Sequence, residues 1–332
     1  MRTKATLKNI SQSLNLSIST VSRALKNHPD ISEETKQKVM ELATLLEYEP
    51  NTHAINLRTN RSKIFGLIVP VISNYFYHSF IASVEEDARK LGYSLLILQS
   101  GDDPMIELEN LKLCRLNRVA GVFVSITSLT KDIKPFLKLD EFDIPVIFFD
   151  KVPSFEACNK ICLADAEAAA LAAQAVIAKN KKMVLAIYGN AELSITQKRQ
   201  KAFASALTQS TNGIQLLECY ASTPEEAEKI TREYCIMTNK PDTIFGMSDE
   251  ILTGIMRSIQ KMKLSVPGDI AIISICNNNF IPSLYEPTIT YVETSGLDLG
   301  KLALKRMMDH LGGKTFVQEL TVPSRLVEGG SL

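Results

Sequence analysis

A short stretch near the N-terminus, SISTVSRALKN, carries small hydroxyl side chains and a single arginine at spacings that a helix would bring to one face. Small hydroxyls and the free N–H groups of a helix N-terminus approach phosphate oxygens closely, and an arginine forms two hydrogen bonds with guanine O6 and N7. The stretch therefore predicts a helix that contacts DNA, with Arg23 as the side chain that reads a base. The hydroxyl residues are Ser17, Ser19, Thr20 and Ser22.

Three short helices are predicted to position this stretch. Thr6 can cap the first helix, Ser17 can cap a second helix over 18–25, and a third helix is predicted to start at Ser32. Two helices joined by a very short turn and closed by a third form a helix-turn-helix unit. The alternative from these residues alone is a small helical cap with a polar face.

Charge is distributed unevenly along the 332 residues, although the net charge is zero. Residues 1–63 hold ten Lys/Arg against six Asp/Glu, whereas the remainder holds 27 against 31. A basic N-terminal segment on an acidic body indicates a polyanionic partner for that segment.

The sequence lacks the residues that several classes of protein require. No apolar run approaches the roughly 18–20 residues of a membrane span, and no apolar segment follows the first cations as in a secretory signal. The six cysteines are scattered without a CxxC pair. No hydrolytic triad, phosphate-binding glycine loop or metal motif is evident. We therefore expect a cytoplasmic protein with reduced thiols that is not an enzyme and has no catalytic residues, metal, cofactor or membrane partner.

From Lys63 onward, apolar strands alternate with helical segments such as 166–179 and 197–209. Nearly continuous apolar strands separated by helices indicate parallel sheets covered on both faces, with ligands bound at the carboxyl ends of the strands. The number of strands suffices for two such lobes. The predicted strands are 64–70, 93–99, 121–125, 145–150, 184–189, 242–247 and 269–275.

The N-terminal segments ATLKNISQSLNLSISTVSRALKN and ISEETKQKVMELATLLEYEPN resemble the DNA-binding headpiece of the LacI/GalR (lactose-repressor) family. The resemblance continues through GLIVPVISNYFY, RVAGVFVS and VPGDIAII, and covers nearly the whole chain. It implies an α/β fold class: a helix-turn-helix headpiece plus a two-lobed periplasmic-binding-protein-like core with parallel sheets and three connections between the lobes. The implied domains are a headpiece at 1–49, a hinge helix and linker at 50–62, and a core at 63–332. Within the core, the N-lobe is expected at about 63–160 and 291–320, and the C-lobe at about 161–290 and 321–332.

The resemblance implies a homodimeric transcriptional regulator on a pseudo-palindromic, double-stranded DNA operator. The segment around Leu57 resembles the family's hinge helix, whose leucine wedges into a minor-groove base step and kinks the duplex. Ile18 and Ser19 occupy positions where the family varies its base contacts, and Ile18 is expected to contact a thymine methyl group. The predicted DNA-binding residues are Thr6, Ser17, Ile18, Ser19, Thr20, Ser22, Arg23, Asn27, His53, Ala54, Leu57 and Arg58.

The resemblance also implies a small-molecule effector bound between the lobes. Arg199 matches the family's cleft arginine, which binds ligand hydroxyls or a carboxylate, and the aromatic rings of Phe76 and Tyr77 would stack on a sugar or base. The predicted ligand-binding residues are Phe76, Tyr77, Ser125, Thr127, Asp150, Lys151, Arg199, Ser248, Asp249, Cys276, Asn277 and Glu293.

One segment departs from the family pattern. Ser274-Ile275-Cys276-Asn277 stands where sugar-binding members usually have a G-Y-D-D-like sequence. Loss of an aspartate beside Arg199, with Lys151 nearby, predicts a more cationic cleft and favours a sugar acid or sugar phosphate over a neutral sugar. Two alternatives remain: a DNA-binding regulator controlled by a protein co-regulator, and a solute-binding protein that does not bind DNA.

Overall fold

Three short helices form the N-terminal unit of the chain. The computed structural model describes residues 5–48, 62–154 and 157–332, and separates an N-terminal unit, 1–61, from a body, 62–332. The helices of the first unit are α1 (Leu7–Ser13), α2 (Ile18–Leu25) and α3 (Glu33–Leu45).

Apolar side chains from all three helices form the core of this unit. Ile10 of α1, Val21 and Ala24 of α2, and Val39 and Ala43 of α3 are buried against one another. Because α1 and α2 are joined by four residues, their packing around this core fixes the angle at which α2 is presented.

Each of these helices begins at a capping hydroxyl. The side-chain oxygens of Thr6, Ser17 and Ser32 each accept a hydrogen bond from the backbone N–H three residues further along. Such a bond satisfies one of the N–H groups that a helix leaves without an internal partner. Ser32, the predicted start of α3, is therefore its cap residue, and the helix itself begins at Glu33.

The body alternates strands with helices, as the sequence pattern predicts. Its first half contains β1 (Ile64–Val69), α4 (Tyr75–Lys90), β2 (Ser94–Gln99), α5 (Pro104–Leu116), β3 (Gly121–Val124), α6 (Lys134–Leu137), β4 (Val146–Phe149) and β5 (Asn159–Leu163). Its second half contains α7 (Asp165–Ala178), β6 (Met183–Tyr188), α8 (Ser194–Gln209), β7 (Gln215–Tyr220), α9 (Pro224–Cys235), β8 (Thr243–Gly246), α10 (Asp249–Met262), β9 (Ala271–Cys276), β10 (Thr290–Glu293), α11 (Gly296–Leu311), β11 (Glu319–Val322) and β12 (Arg325–Val327).

Two six-stranded sheets divide the body into two lobes. The first lobe has the strand order β11-β5-β4-β3-β1-β2, and the second has β12-β10-β9-β8-β6-β7. Among the described residues every pairing is parallel except that of β10 with β12. The central strands are fully buried because helices cover both faces. No helix in the described ranges has the length and apolar character needed to span a bilayer.

In the described residues the chain crosses between the lobes three times: after β5, after β10 and after β11. The predicted lobe boundaries at 160/161, 290/291 and 320/321 each fall inside one of these strands. A strand hydrogen-bonds as a unit within one sheet, so each crossing lies at a strand end, a few residues beyond the predicted boundary. The strands β5, β7, β10, β11 and β12 were not among those predicted.

Candidate functional site

The helix α2 presents an exposed face. Ile18 is 50% exposed, and the Arg23 side chain is 58% exposed and lies 3.9 Å from Asp30, also at the surface. An ion pair this exposed contributes little, so it does not hold the guanidinium away from a DNA partner. Ser17 and Ser19 are exposed beside Ile18, as predicted for a DNA-contacting face.

The hydroxyl groups on this face are already engaged with one another. Ser17 Oγ lies 2.7 Å from Ser19 Oγ, 2.8 Å from Thr20 Oγ1 and 3.0 Å from the Thr20 backbone nitrogen. Ser17 therefore stabilises the first turn of α2. The other predicted contacts within this unit, Thr6, Ser22 and Asn27, are exposed or half-buried.

Ser17→Ala is expected to destabilise α2 locally by about 1 kcal/mol, because the replacement removes the capping oxygen. Hydrogen exchange of the α2 amides in the full-length protein measures this, and we expect roughly fivefold faster exchange. Ser13→Ala, at the exposed C-terminal residue of α1, is the matched control. Equal effects of the two substitutions would contradict a capping role for Ser17.

The predicted hinge contacts His53, Ala54, Leu57 and Arg58 lie outside the described residues. Their roles stay predictions.

A cleft opens between the lobes of the body, at the carboxyl ends of strands from both sheets. Its cavity has a volume of about 320 Å³. Such positions are where open α/β sheets bind small molecules. The predicted ligand-binding residues that line it are Phe76, Tyr77, Asp150, Lys151, Arg199, Ser248, Asp249 and Asn277.

The structure places four predicted ligand contacts outside the cavity lining. Ser125, Thr127 and Cys276 are almost completely buried beneath it, where Ser125 Oγ lies 3.0 Å from the hydroxyl oxygen of Tyr77. Glu293 forms an ion pair with Arg325 instead. These four predictions are corrected: burial of the first three and the ion pair of Glu293 keep their side chains out of the lining of the cavity.

Other residues line the cleft that the sequence analysis did not identify. Asn74, Asp102, Asn190, Glu250 and Thr294 are among them. Each lies within a few residues of a strand's carboxyl end or beside a predicted contact. Extending each predicted strand end by three to five residues would have found the first four, whereas Thr294 follows β10, which was not predicted.

Arg199 reaches the cleft from α8 as part of a buried ion pair. Its Nε and Nη2 atoms lie 2.9 and 2.8 Å from Asp165 Oδ1, and its Nη1 donates to the carbonyl oxygen of Met247 at 2.8 Å. Arg199 and Asp165 are 3% and 6% exposed. Burial raises the pKa of Asp165, and the positive charge of Arg199 opposes that rise. The guanidinium is thus fixed in place, with its charge matched inside the protein.

The first lobe contributes a second carboxyl group through Asp150. The Tyr77 hydroxyl donates a hydrogen bond of 2.8 Å to Asp150 Oδ2. Burial raises the pKa of Asp150, and the Tyr77 hydrogen bond and Lys151 oppose that rise. Lys151 itself lies nearest to Asp102, with 3.7 Å between Nζ and Oδ1.

The second lobe contributes Asp249, the first residue of α10. Its Oδ2 accepts a hydrogen bond of 2.9 Å from the Asn277 backbone N–H, whereas Oδ1 is buried and has no hydrogen-bond partner among the described residues. Burial raises the pKa of Asp249 to about 7. Burial and the neighbouring Asp249 charge also raise the pKa of the Cys276 thiol.

Asn277 connects the two lobes through its side chain. Its Nδ2 donates to Ser79 Oγ of the first lobe at 2.7 Å, and its Oδ1 accepts from the Gly296 backbone N–H at 2.8 Å. A Cβ at position 296 would lie 2.8 Å from the carbonyl oxygen of Phe76, so only glycine fits this crossing. A second interlobe contact joins Asn74 Nδ2 to Glu250 Oε1 at 2.7 Å.

The prediction of a cationic cleft is wrong. Four carboxyl groups line the cavity against two cationic groups, and the charge of Arg199 is already matched by Asp165. The family pattern indicates one lost aspartate, but it does not show that four other carboxyl groups line the same cavity. The lining carboxyl groups belong to Asp102, Asp150, Asp249 and Glu250. Among the described residues, no group of three or more His, Cys, Asp or Glu side chains could hold a metal ion.

Two family models match the chain. Residues 6–51 match the model described as bacterial regulatory proteins, lacI family, and residues 173–332 match the periplasmic binding protein-like domain. The chain is 26% identical to catabolite control protein A of Priestia megaterium over 319 residues, 93% of each chain. It is 26% identical to the ribose operon repressor of Bacillus subtilis (strain 168) over 309 residues, which are 92% of this chain and 91% of the relative.

Solved structures share the fold over the full length. The lac repressor dimer bound to operator and the anti-inducer ONPF superposes with a TM-score of 0.87 at 20% identity, covering 99% of each chain. The complex of the transcriptional regulator CelR with cellobiose superposes with a TM-score of 0.72 at 19% identity, covering 99% of this chain and all of that one. These likenesses establish the headpiece-plus-two-lobe architecture.

Proposed function

The chain belongs to the lacI family of bacterial regulatory proteins, and from this we propose that it represses transcription as a homodimer on a pseudo-palindromic operator, under control of a small polyhydroxylated effector. The observation that carries the DNA-binding part is the exposed face of α2, where Ile18, Ser19 and Arg23 project from a short, capped helix. A helix of this kind enters the major groove with its N-terminal residues against base edges. A hinge at Leu57 would add a minor-groove contact.

Exposed apolar side chains along one edge of the first lobe support the homodimer. Edge strand β2 exposes Ile97, and the following helix α5 exposes Met105, Leu113 and Leu116. The second lobe has an equivalent edge strand, β7, where Tyr220 is 43% exposed. We propose that a second copy of the chain covers both edges, as two-fold symmetry would match a palindromic site.

The interlobe cleft is the proposed effector site. Its amide, hydroxyl and carboxyl side chains offer donors and acceptors for ligand hydroxyls, while Phe76 offers an apolar face. The effector would act by favouring one arrangement of the lobes, because a ligand that binds both arrangements equally shifts nothing. The contacts Asn74–Glu250 and Ser79–Asn277 are the interlobe bonds that such a change would break or remake.

A genome-wide footprint of the full-length protein tests the DNA-binding part, since the occupied sites define the operator. We expect a pseudo-palindromic site whose affinity falls steeply between 50 and 200 mM salt, because bound phosphates release counterions. A flat salt response, or occupancy without a shared sequence, would reject the proposal. A metabolite that changes operator affinity and the melting temperature together supports a small-molecule effector rather than a protein co-regulator.

Arg23→Ala is expected to cost about 1–3 kcal/mol of operator binding per half-site and much less on random DNA, because the arginine reads a base. Parallel titrations of the footprinted operator and of a scrambled duplex measure both values. Lys26→Ala is the control: it removes an exposed cation from the same helix end and should weaken both duplexes alike. Equal losses from Arg23→Ala on both duplexes would contradict base recognition.

A further inference from the structure

Carboxyl groups without a cationic partner face the cleft from both lobes. Asp150 of the first lobe and Asp249 and Glu250 of the second have no Lys, Arg or His nitrogen within 4 Å among the described residues. The two cations of the cleft are already committed, Arg199 to Asp165 and Lys151 to Asp102. Charges removed from water are normally paired, so these carboxyl groups favour a ligand that carries a positive charge.

Asp249 has a carboxylate oxygen that is buried in the cleft without a hydrogen-bond partner among the described residues. The residue is 7% exposed and lines the cavity, and its Oδ1 is buried without a donor while Oδ2 accepts from Asn277. Burial raises the pKa of this carboxyl to about 7, and the charge of Glu250 adds to the rise, because the Asn277 N–H, the Cys276 thiol and Arg199 offset only part of the desolvation. A buried carboxylate oxygen of this kind is satisfied by a ligand group that brings both a donor and a positive charge.

We propose that the effector is a polyhydroxylated molecule bearing an ammonium group, of the amino-sugar class, with its ammonium held between Asp150 of the first lobe and Asp249 of the second. The inference rests on the proposed function of the cleft as the effector site. It replaces the anionic ligand that the sequence favoured.

The surrounding side chains distinguish this ligand from other cations. A bound metal is disfavoured because the carboxyl groups do not converge as a metal site in the described part of the chain. An amino acid would bring a carboxylate for which no free cation remains, since Arg199 and Lys151 are paired. A simple polyamine would leave the neutral polar groups of the lining, among them Asn190 and Ser222, without partners.

An ammonium between the two aspartates would also act on the lobes. Asp150 and Asp249 lie at the carboxyl ends of different sheets, so a cation that contacts both would favour the arrangement of the lobes that brings them together. The effector would thereby gain the differential affinity for one lobe arrangement that control of operator binding requires.

Matched sugars that differ at one substituent test the proposal on the full-length protein. Calorimetric titrations at pH 7 would compare D-glucose, D-glucosamine and D-glucuronate, and then the galactose and mannose series, with putrescine as an amine that lacks hydroxyl groups. We expect the tightest ligand of the panel to be an amino sugar, at least tenfold tighter than its hydroxyl and uronate counterparts.

Asp249→Asn removes the charge while keeping an acceptor for the Asn277 N–H, and it should reduce the preference for the amine at least tenfold. Glu233→Gln, an exposed residue of α9 outside the cavity, controls for total charge and should leave the preference unchanged. The inference is overturned if a hexose or uronate equals its amine counterpart, if putrescine binds more tightly than every amino sugar, if no amino sugar binds, or if Asp249→Asn keeps the preference. Operator binding by the ligand-free wild-type protein is measured separately. Failure of that protein to bind an operator would reject the proposed function rather than the ligand class.

Discussion

Arg199→Met is expected to lower the free energy of unfolding of the full-length protein by about 3–5 kcal/mol, because it leaves a buried carboxylate without its cation. Asp165 is 6% exposed and would lose its ion-pair partner, and the Met247 carbonyl would lose its donor. Methionine fills a similar volume, so the loss reports the charge and hydrogen bonds rather than a cavity. Effector binding should be lost together with stability.

Urea unfolding followed by far-ultraviolet circular dichroism measures the change. The double variant Arg199→Met with Asp165→Leu should recover part of the loss, since no unpaired charge remains. Arg257→Met is the control: this surface arginine pairs with Glu225 and is 41% exposed, so its replacement should cost less than about 1 kcal/mol. Equal losses from the two single variants would show that the buried pair contributes no more than an exposed one.

Asp249→Asn is expected to stabilise the ligand-free protein at alkaline pH and to change little at acid pH. The pKa of Asp249 is raised from 3.8 to about 7 by burial, so at intermediate pH the folded protein keeps a proton that the unfolded chain has released. Wild-type stability therefore falls as pH rises through this window, whereas asparagine does not ionise. Above pH 7 the variant should be more stable by an amount on the order of 2–4 kcal/mol.

Urea unfolding of both proteins at pH 5 and pH 8.5 tests this expectation. The charged and titratable groups around Asp249 are Glu250 on the same helix, Arg199 on α8 and the Cys276 thiol on β9, and all are unchanged in the variant. Asp269→Asn should have the opposite sign, because the N–H and hydroxyl of Ser265 lower the pKa of that exposed carboxyl. A stability difference for Asp249→Asn that does not grow with pH would contradict a buried, titrating carboxyl.

Much of the fold follows from local pattern in the sequence. The helices α1 to α3 could be predicted because capping hydroxyls and apolar spacing agree, and the central strands because each is a continuous apolar run. Edge strand β7 was not predicted because its sequence QLLECY is not a continuous apolar run. It mixes exposed and half-buried residues, as is usual for a strand with one neighbour. Strand β5 was missed because its NKICL sequence begins with polar residues, Asn159 and Lys160, although both are buried.

The cleft could be located from sequence but its charge could not. Strand ends and the match at Arg199 led to the correct edge of both sheets. The charge depends on which groups meet, and the partner of Arg199 is Asp165, 34 positions earlier and on another helix. Ser125 and Cys276 could not be excluded as contacts either, since the direction of a side chain at a strand end depends on how the following loop leaves the sheet.

Asn277 differs from the other residues of the cleft because its backbone N–H and both polar atoms of its side chain bind the protein itself. Its backbone N–H, amide nitrogen and amide oxygen bind Asp249, Ser79 and Gly296, so it is committed to holding the lobes together. A relative with a new ligand preference could then arise by exchange of Asn190, Ser222 or their neighbours without disturbing the way the lobes communicate. The residues that would set ligand preference are in this sense separate from the residue that joins the lobes.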